Sequence, residues 1–119
     1  MNEPVTIYHN PRCSKSRATL ELLRERGIEP EVVEYLKDAP SRATLKRLIQ
    51  SLGASDVSDL TRTKEAVFKE LGLANEDDRE RWIDAIVENP VLLERPIVVV
   101  GNRARVGRPP ENVLEILDS

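Results

Sequence analysis

The run Val5-Thr6-Ile7-Tyr8-His9-Asn10-Pro11-Arg12-Cys13 decides the fold. Its first four residues are β-rich, and the four that follow read as a turn. From Cys13 the period changes to helical. Ala18 and Leu22 fall at i, i+4, Leu20 and Leu23 at i, i+3, and Gly27 is a natural stop. Glu31 to Leu36 reads as a second strand, because Val32, Val33 and Tyr35 supply β-branched and aromatic content. A β-α-β opening makes two parallel strands joined by a right-handed crossover.

Working outward, the middle of the chain is helical. Ser41 is a cap for a helix with the stripe Leu45, Leu48, Ile49 and Leu52, ended by Gly53. A second helix is expected over Thr63–Leu71. A third is expected over Glu76–Glu88, with Trp82, Ile83, Ile86 and Val87 on its apolar face and Asn89-Pro90 as its stop. The period changes again at the end. Ile97–Val100 reads as an apolar strand, Gly101-Asn102 as a two-residue hairpin and Arg103–Val106 as a half-exposed strand. A last helix is expected with Val113, Leu114 and Leu117 inward. The expected fold is α/β and thioredoxin-like: one domain over residues 1–119, a four-stranded mixed sheet, and a helical insert at about 41–90 between the second and third strands.

Composition narrows the function. Of 119 residues, 34 are Leu, Ile, Val or Phe, enough for one compact core. The longest uninterrupted aliphatic run is Ile97–Val100, far short of the roughly 20 residues of a membrane span. Neither a membrane segment nor a secretory signal is visible, so a cytoplasmic location is expected. One cysteine excludes an internal disulfide and any thiolate zinc cluster. One histidine excludes a His-x-x-x-His metal site. The expectation is no metal and no bound cofactor. Four aromatic residues and a net charge of −3 argue against nucleic acid as a partner. The charge divides as +2 over residues 1–27, −6 over 28–94 and +1 over 95–119.

Cys13 stands after a strand and a loop, at the start of a helix. A lone cysteine is often a small buried hydrophobe. At a helix N-terminus, however, the dipole and unpaired N–H groups favour thiolate and draw its pKa down. Cys-x-x-Cys is absent because Ser16 stands at the second position. The Cys-x5-Arg phosphatase loop is absent because Thr19 stands where its arginine belongs. Any further thiol must come from outside, and glutathione is the obvious source in a reducing compartment. His9 is either a structural histidine or an imidazolium that stabilises a Cys13 thiolate.

Arg95-Pro96 precedes the third strand. Its proline is either an ordinary strand-start device or the cis-proline that faces the thiol in thioredoxin-like folds. In the latter case Arg95 is held close to Cys13. Arg108 sits in a rigid turn past the fourth strand, and Arg62 lies in a link between middle helices. Each alone reads as a surface residue. Three arginines around one thiol would make a site for a tetrahedral oxyanion, which guanidinium forks bind in bidentate fashion.

Ile7-Tyr8-His9-Asn10-Pro11-Arg12-Cys13 followed by Ser16-Arg17 resembles the opening of the glutaredoxin-dependent arsenate reductases. The resemblance continues in Val33-Glu34-Tyr35-Leu36, Glu70-Leu71-Gly72-Leu73, Asn89-Pro90, Glu94-Arg95-Pro96-Ile97-Val98 and Gly107-Arg108-Pro109-Pro110-Glu111-Asn112-Val113-Leu114-Glu115-Ile116-Leu117. It covers nearly the whole chain in order. It implies a thioredoxin-like fold with a helical insert and a nucleophilic Cys13. It also implies oxyanion-binding Arg62, Arg95 and Arg108, and a His9 that helps depress the cysteine pKa. The partners it implies are arsenate or a similar oxyanion, glutathione as co-substrate, and glutaredoxin. The best-characterised members follow the cysteine with Gly-Thr-Ser-Arg-Asn, whereas this chain has Ser14-Lys15-Ser16-Arg17-Ala18. That form resembles a sister subfamily usually called arsenate-reductase-like. Two other readings stand beside this one. One is an Spx-type regulator that binds RNA polymerase, and the other is a glutathione-linked thiol enzyme acting on protein mixed disulfides.

Overall fold

The structure is a computed structural model, and it describes residues 4–53 and 57–117. The chain falls into two compact units. One comprises residues 1–38 and 95–119, and the other residues 39–94.

The first unit is built on a sheet. Strand β1 (Val5–Tyr8) leads through helix α1 (Ser14–Glu25) to strand β2 (Glu31–Val33), and the two strands pair in parallel. Strand β3 (Ile97–Val100) runs antiparallel to β1, with Ile7 opposite Val98. Strand β4 (Arg103–Val106) runs antiparallel to β3, with Val100 opposite Arg103 across the two-residue turn. Gly101 takes φ 61° there, a backbone conformation a residue with a Cβ seldom adopts. The sheet order is β2-β1-β3-β4, the expected four-stranded mixed sheet. Ile7, Leu23, Val98, Val100, Val113 and Ile116 form its core, with Val5, Leu20, Leu22, Ile28 and Leu117 packed against them. Each fully buried aliphatic side chain contributes roughly 1.5–3 kcal/mol relative to leaving it in water.

The second unit is helical. It holds α2 (Arg42–Leu52), α3 (Ala66–Glu70) and α4 (Arg79–Glu88), with short 3-10 turns at Val57–Leu60, Leu73–Asn75 and Pro90–Leu92. Ser41 caps α2 as expected, its hydroxyl accepting from the Thr44 N–H. Phe68 and Trp82 meet edge to face at 5.3 Å.

Several elements depart from expectation. Strand β2 ends at Val33 rather than Leu36. Its partner β1 ends opposite it at Tyr8, and the His9 N–H closes on the Val33 carbonyl at 2.8 Å. With no partner strand left, residues 34–38 curl into a turn in which Lys37 and Asp38 both donate to the Glu34 carbonyl. Tyr35 is then wholly buried and Leu36 exposed. Helix α3 starts at Ala66 rather than Thr63, because residues 63–65 form a turn in which the Glu65 N–H donates to the Arg62 carbonyl at 3.3 Å. Helix α4 starts at Arg79 because Asp78 caps it through the Glu80 N–H. The last helix is a 3-10 turn over Pro110–Val113 running into α5 (Leu114–Leu117). Val113 and Ile116 are its buried residues, while Leu114 and Leu117 are half-buried. In α1, Ala18 is exposed, and the buried positions are Ser16, Thr19 and Leu23.

Candidate active site

A helix that buries Ser16 and Thr19 in its first turns is facing something other than a hydrophobic core. Cys13 is the N-cap of that helix, half-buried and free of disulfide. Its backbone is fixed at both ends: its N–H donates to the Asn10 carbonyl and its carbonyl accepts from the Arg17 N–H, each at 3.0 Å. Burial pushes the thiol pKa up. The Ser16 N–H, the Arg95 side chain, the Lys15 N–H and the Arg95 charge outweigh it and hold the thiol below 9.0.

The loop before Cys13 is organised by two residues not singled out as site residues in the sequence. Asn10 is buried. Its Oδ1 accepts from the Arg12 N–H at 3.0 Å, and its own N–H donates to Ser16 Oγ at 3.0 Å. Ser16 Oγ also lies 2.6 Å from His9 Nδ1. An Oγ that accepts from Asn10 has its proton available for Nδ1, which suits a neutral imidazole protonated at Nε2. Burial lowers the His9 pKa from 6.5 in the same sense, opposed by Glu34 and assisted by Arg24 and Arg17. The geometry therefore ties His9 to the loop through Ser16 and favours its neutral form over an imidazolium. The missed signals were an Asn-Pro pair before the cysteine, which marks a side-chain-stabilised turn, and a polar residue one turn into the helix on its buried side.

Within the sheet unit, Arg95 and Arg108 lie at the thiol. The Arg95-Pro96 peptide is cis, and half-buried Arg95 lies on Cys13 through its side chain. Arg108 donates from Nη2 toward Cys13 Sγ at 3.7 Å and from Nε to the Arg95 carbonyl at 2.7 Å. Asn112 Nδ2 holds the Arg108 carbonyl at 3.0 Å. This turn is pressed close to the helix: a Cβ on Gly107 would stand 2.6 Å from Thr19 Oγ1 and 2.9 Å from Pro96 Cγ. Gly107 also donates to the Pro96 carbonyl at 2.8 Å. Arg62 belongs to the helical unit, where its guanidinium pairs with Glu65 at 3.2 Å. Among the described residues no group of histidine, cysteine and carboxylate side chains is arranged to hold a metal, and no helix is long and apolar enough to cross a membrane.

A cysteine capping the helix after β1, in a mixed sheet whose antiparallel β3 follows Pro96, is the arrangement of a thioredoxin-like protein. Within that class the chain belongs to the ArsC family, whose model matches residues 8–116. It is 55% identical over 118 residues to the Escherichia coli protein YfgD, itself described as uncharacterized, covering 98% of this chain and 99% of that one. It is 48% identical to an arsenate reductase of Neisseria meningitidis, covering 95% of this chain and 97% of that protein. An arsenate reductase structure from Vibrio cholerae superposes with a TM-score of 0.95 at 51% identity, covering 98% of this chain and all of the other.

Proposed function

We propose that the protein is an arsenate reductase in which Cys13 is the nucleophile and glutathione and glutaredoxin supply the electrons. The observation that carries the reading is a cysteine of lowered pKa with the Arg95 and Arg108 side chains on it. Two guanidinium groups beside a thiolate leave room in the local charge balance for a bound anion, and they present N–H forks to its oxygens. The similarity to arsenate reductases of Neisseria meningitidis and Vibrio cholerae supports arsenate as that anion.

The chemistry balances with one thiol in the chain. The Cys13 thiolate attacks arsenic(V), a sulphur–arsenic bond forms, and an oxygen leaves as water after protonation. A glutathione thiolate then attacks the Cys13 sulphur. A sulphur–sulphur bond forms, the sulphur–arsenic bond breaks, and its electron pair stays on arsenic, which leaves as arsenite. Glutaredoxin attacks the glutathione sulphur of the mixed disulfide and returns Cys13 as thiolate. Arg95 and Arg108 stabilise the charge on the arsenate oxygens as the first bond forms. Arg62 is the third oxyanion ligand in this reading, assigned from the family resemblance. His9, neutral, holds the Cys13 loop through Ser16.

The test is NADPH oxidation coupled through glutathione reductase, with arsenate, glutathione and glutaredoxin present. Arsenate-dependent turnover that disappears in Cys13→Ser supports the reading. Absence of turnover in a folded protein with a titratable thiol rejects arsenate as substrate. A mixed-disulfide enzyme would keep its activity in Arg108→Ala, so retention of turnover in that variant would sink the oxyanion mechanism.

A further inference from the structure

Tyr35 is a buried side chain near the thiol whose polar atom this mechanism leaves unused. It is wholly buried, and its Oη meets no partner in closed hydrogen-bond geometry. Buried hydroxyls nearly always have a partner, so one without demands an explanation. The polar side chains that approach it are Arg95 and Asn10, both as donors. Asn10 has a fixed amide orientation: its Oδ1 accepts from the Arg12 N–H, which turns Nδ2 away from that bond. The same residue grips Cys13 through its backbone carbonyl. Arg95 is the side chain that lies on the Cys13 sulphur. Tyr35 Oη thus stands between the loop that carries the nucleophile and the guanidinium that serves it.

We propose that Tyr35 is a positioning residue for the thiol, whose hydroxyl oxygen receives the Arg95 and Asn10 N–H groups and fixes the guanidinium against the Cys13 loop. Burial pushes the phenol pKa up, so the hydroxyl stays neutral beside the Arg95 guanidinium. A phenylalanine would fill the same space and offer the guanidinium no acceptor. The proposal rests on Cys13 being the reactive thiol, and it does not depend on arsenate being the substrate.

The rate of Cys13 alkylation by iodoacetamide against pH, in the full chain, reads the thiol directly. In Tyr35→Phe the midpoint is expected to rise by about half a pH unit, roughly threefold less thiolate below the midpoint. The melting temperature is expected to hold, since the ring is kept. In an Arg95→Gln background, Tyr35→Phe is expected to add nothing, because the hydroxyl acts through that guanidinium. A midpoint equal to that of the unsubstituted chain would overturn the proposal, as would an undiminished rise in the Arg95→Gln background. A midpoint already at the ordinary thiol value in the unsubstituted chain overturns the reactive-thiol reading and this proposal together. A low midpoint that ignores Tyr35→Phe overturns the proposal alone.

Discussion

In the helical unit, Arg42 spreads its guanidinium between Glu80 and Asp84 at the surface. In the sheet unit, Arg95 turns its own toward a cysteine sulphur. The first arrangement is repeated nearby, with Lys46 also on Glu80 at 3.2 Å and Arg81 facing Glu76 at 3.7 Å. These groups stay partly in water, where an ion pair is worth little. The second arrangement puts polar groups inside. His9, Asn10, Ser16 and Thr19 are buried in the sheet unit, whereas Thr61 is the buried polar residue of the helical unit among those described. Polar burial costs free energy unless each group is satisfied. His9, Asn10 and Ser16 are satisfied by short, directed bonds around one loop. The candidate site lies where buried polar groups gather, not where charges are most numerous.

Substitutions in the two units should separate sharply. Cys13→Ser should have the largest effect, removing arsenate-dependent turnover to background while the thermal melt stays cooperative and near its original midpoint. Arg95→Lys should come next. An ammonium keeps the charge but not the fork, so kcat/KM for arsenate should fall about 10- to 100-fold. The Cys13 alkylation midpoint should move up toward 9.0, since Arg95 is among the groups that hold it down.

Gly107→Ala should cost about 1–3 kcal/mol in urea denaturation, because its methyl would collide with Thr19 and Pro96 and must push the Arg108 turn outward. An unchanged urea midpoint would mean that this turn is slack. Stability should also fall on acidification. The fold lowers the His9 pKa, so protonation favours the unfolded chain once pH drops through 6.5 toward the folded value. The Cys13 thiolate adds a contribution of the same sign at higher pH: it is present above the unfolded thiol value and is lost as pH falls through the lowered one. Ser16→Ala should reduce the histidine part, read as a shallower acid limb in melting temperature against pH. Arg42→Ala should be the smallest change, at most about 1 kcal/mol of stability with turnover unaltered. A large loss of turnover there would break the comparison between the units.

Much of the sheet unit was legible in the sequence because its signals are local. Val5–Tyr8, the helix after Cys13 and the Ile97–Val106 hairpin each announce themselves by period, and their order alone gave the mixed sheet. The end of β2 was not legible. Tyr35 and Leu36 have strand propensity, and only the absence of a partner beyond Tyr8 turns the chain. The last helix was legible in part: Val113 was expected inward and is buried, and Leu117 packs against the core, but Ile116 rather than Leu114 is the second buried residue, because the chain enters the helix through a 3-10 turn. At the site, Cys13 was readable from the turn and the helix start, whereas Arg95 and Arg108 each read alone as a surface residue and came to the thiol only through the resemblance in fold and family. Ser16 and Asn10 were read as parts of the opening motif, as a missing second cysteine and as part of a turn, without a role of their own. Their roles consist of bonds to His9, to Arg12 and to each other, which no spacing displays.

The lone thiol has a consequence for how the protein is observed at work. With no second cysteine, the chain cannot store an oxidising equivalent as an internal bridge. In the proposed cycle each covalent state carries a guest on Cys13, first arsenic and then glutathione. Its history is therefore written in mass: intact-protein mass spectrometry of a quenched reaction reads the occupied states as separate, heavier peaks, where a two-cysteine relative would show only the loss of two hydrogens.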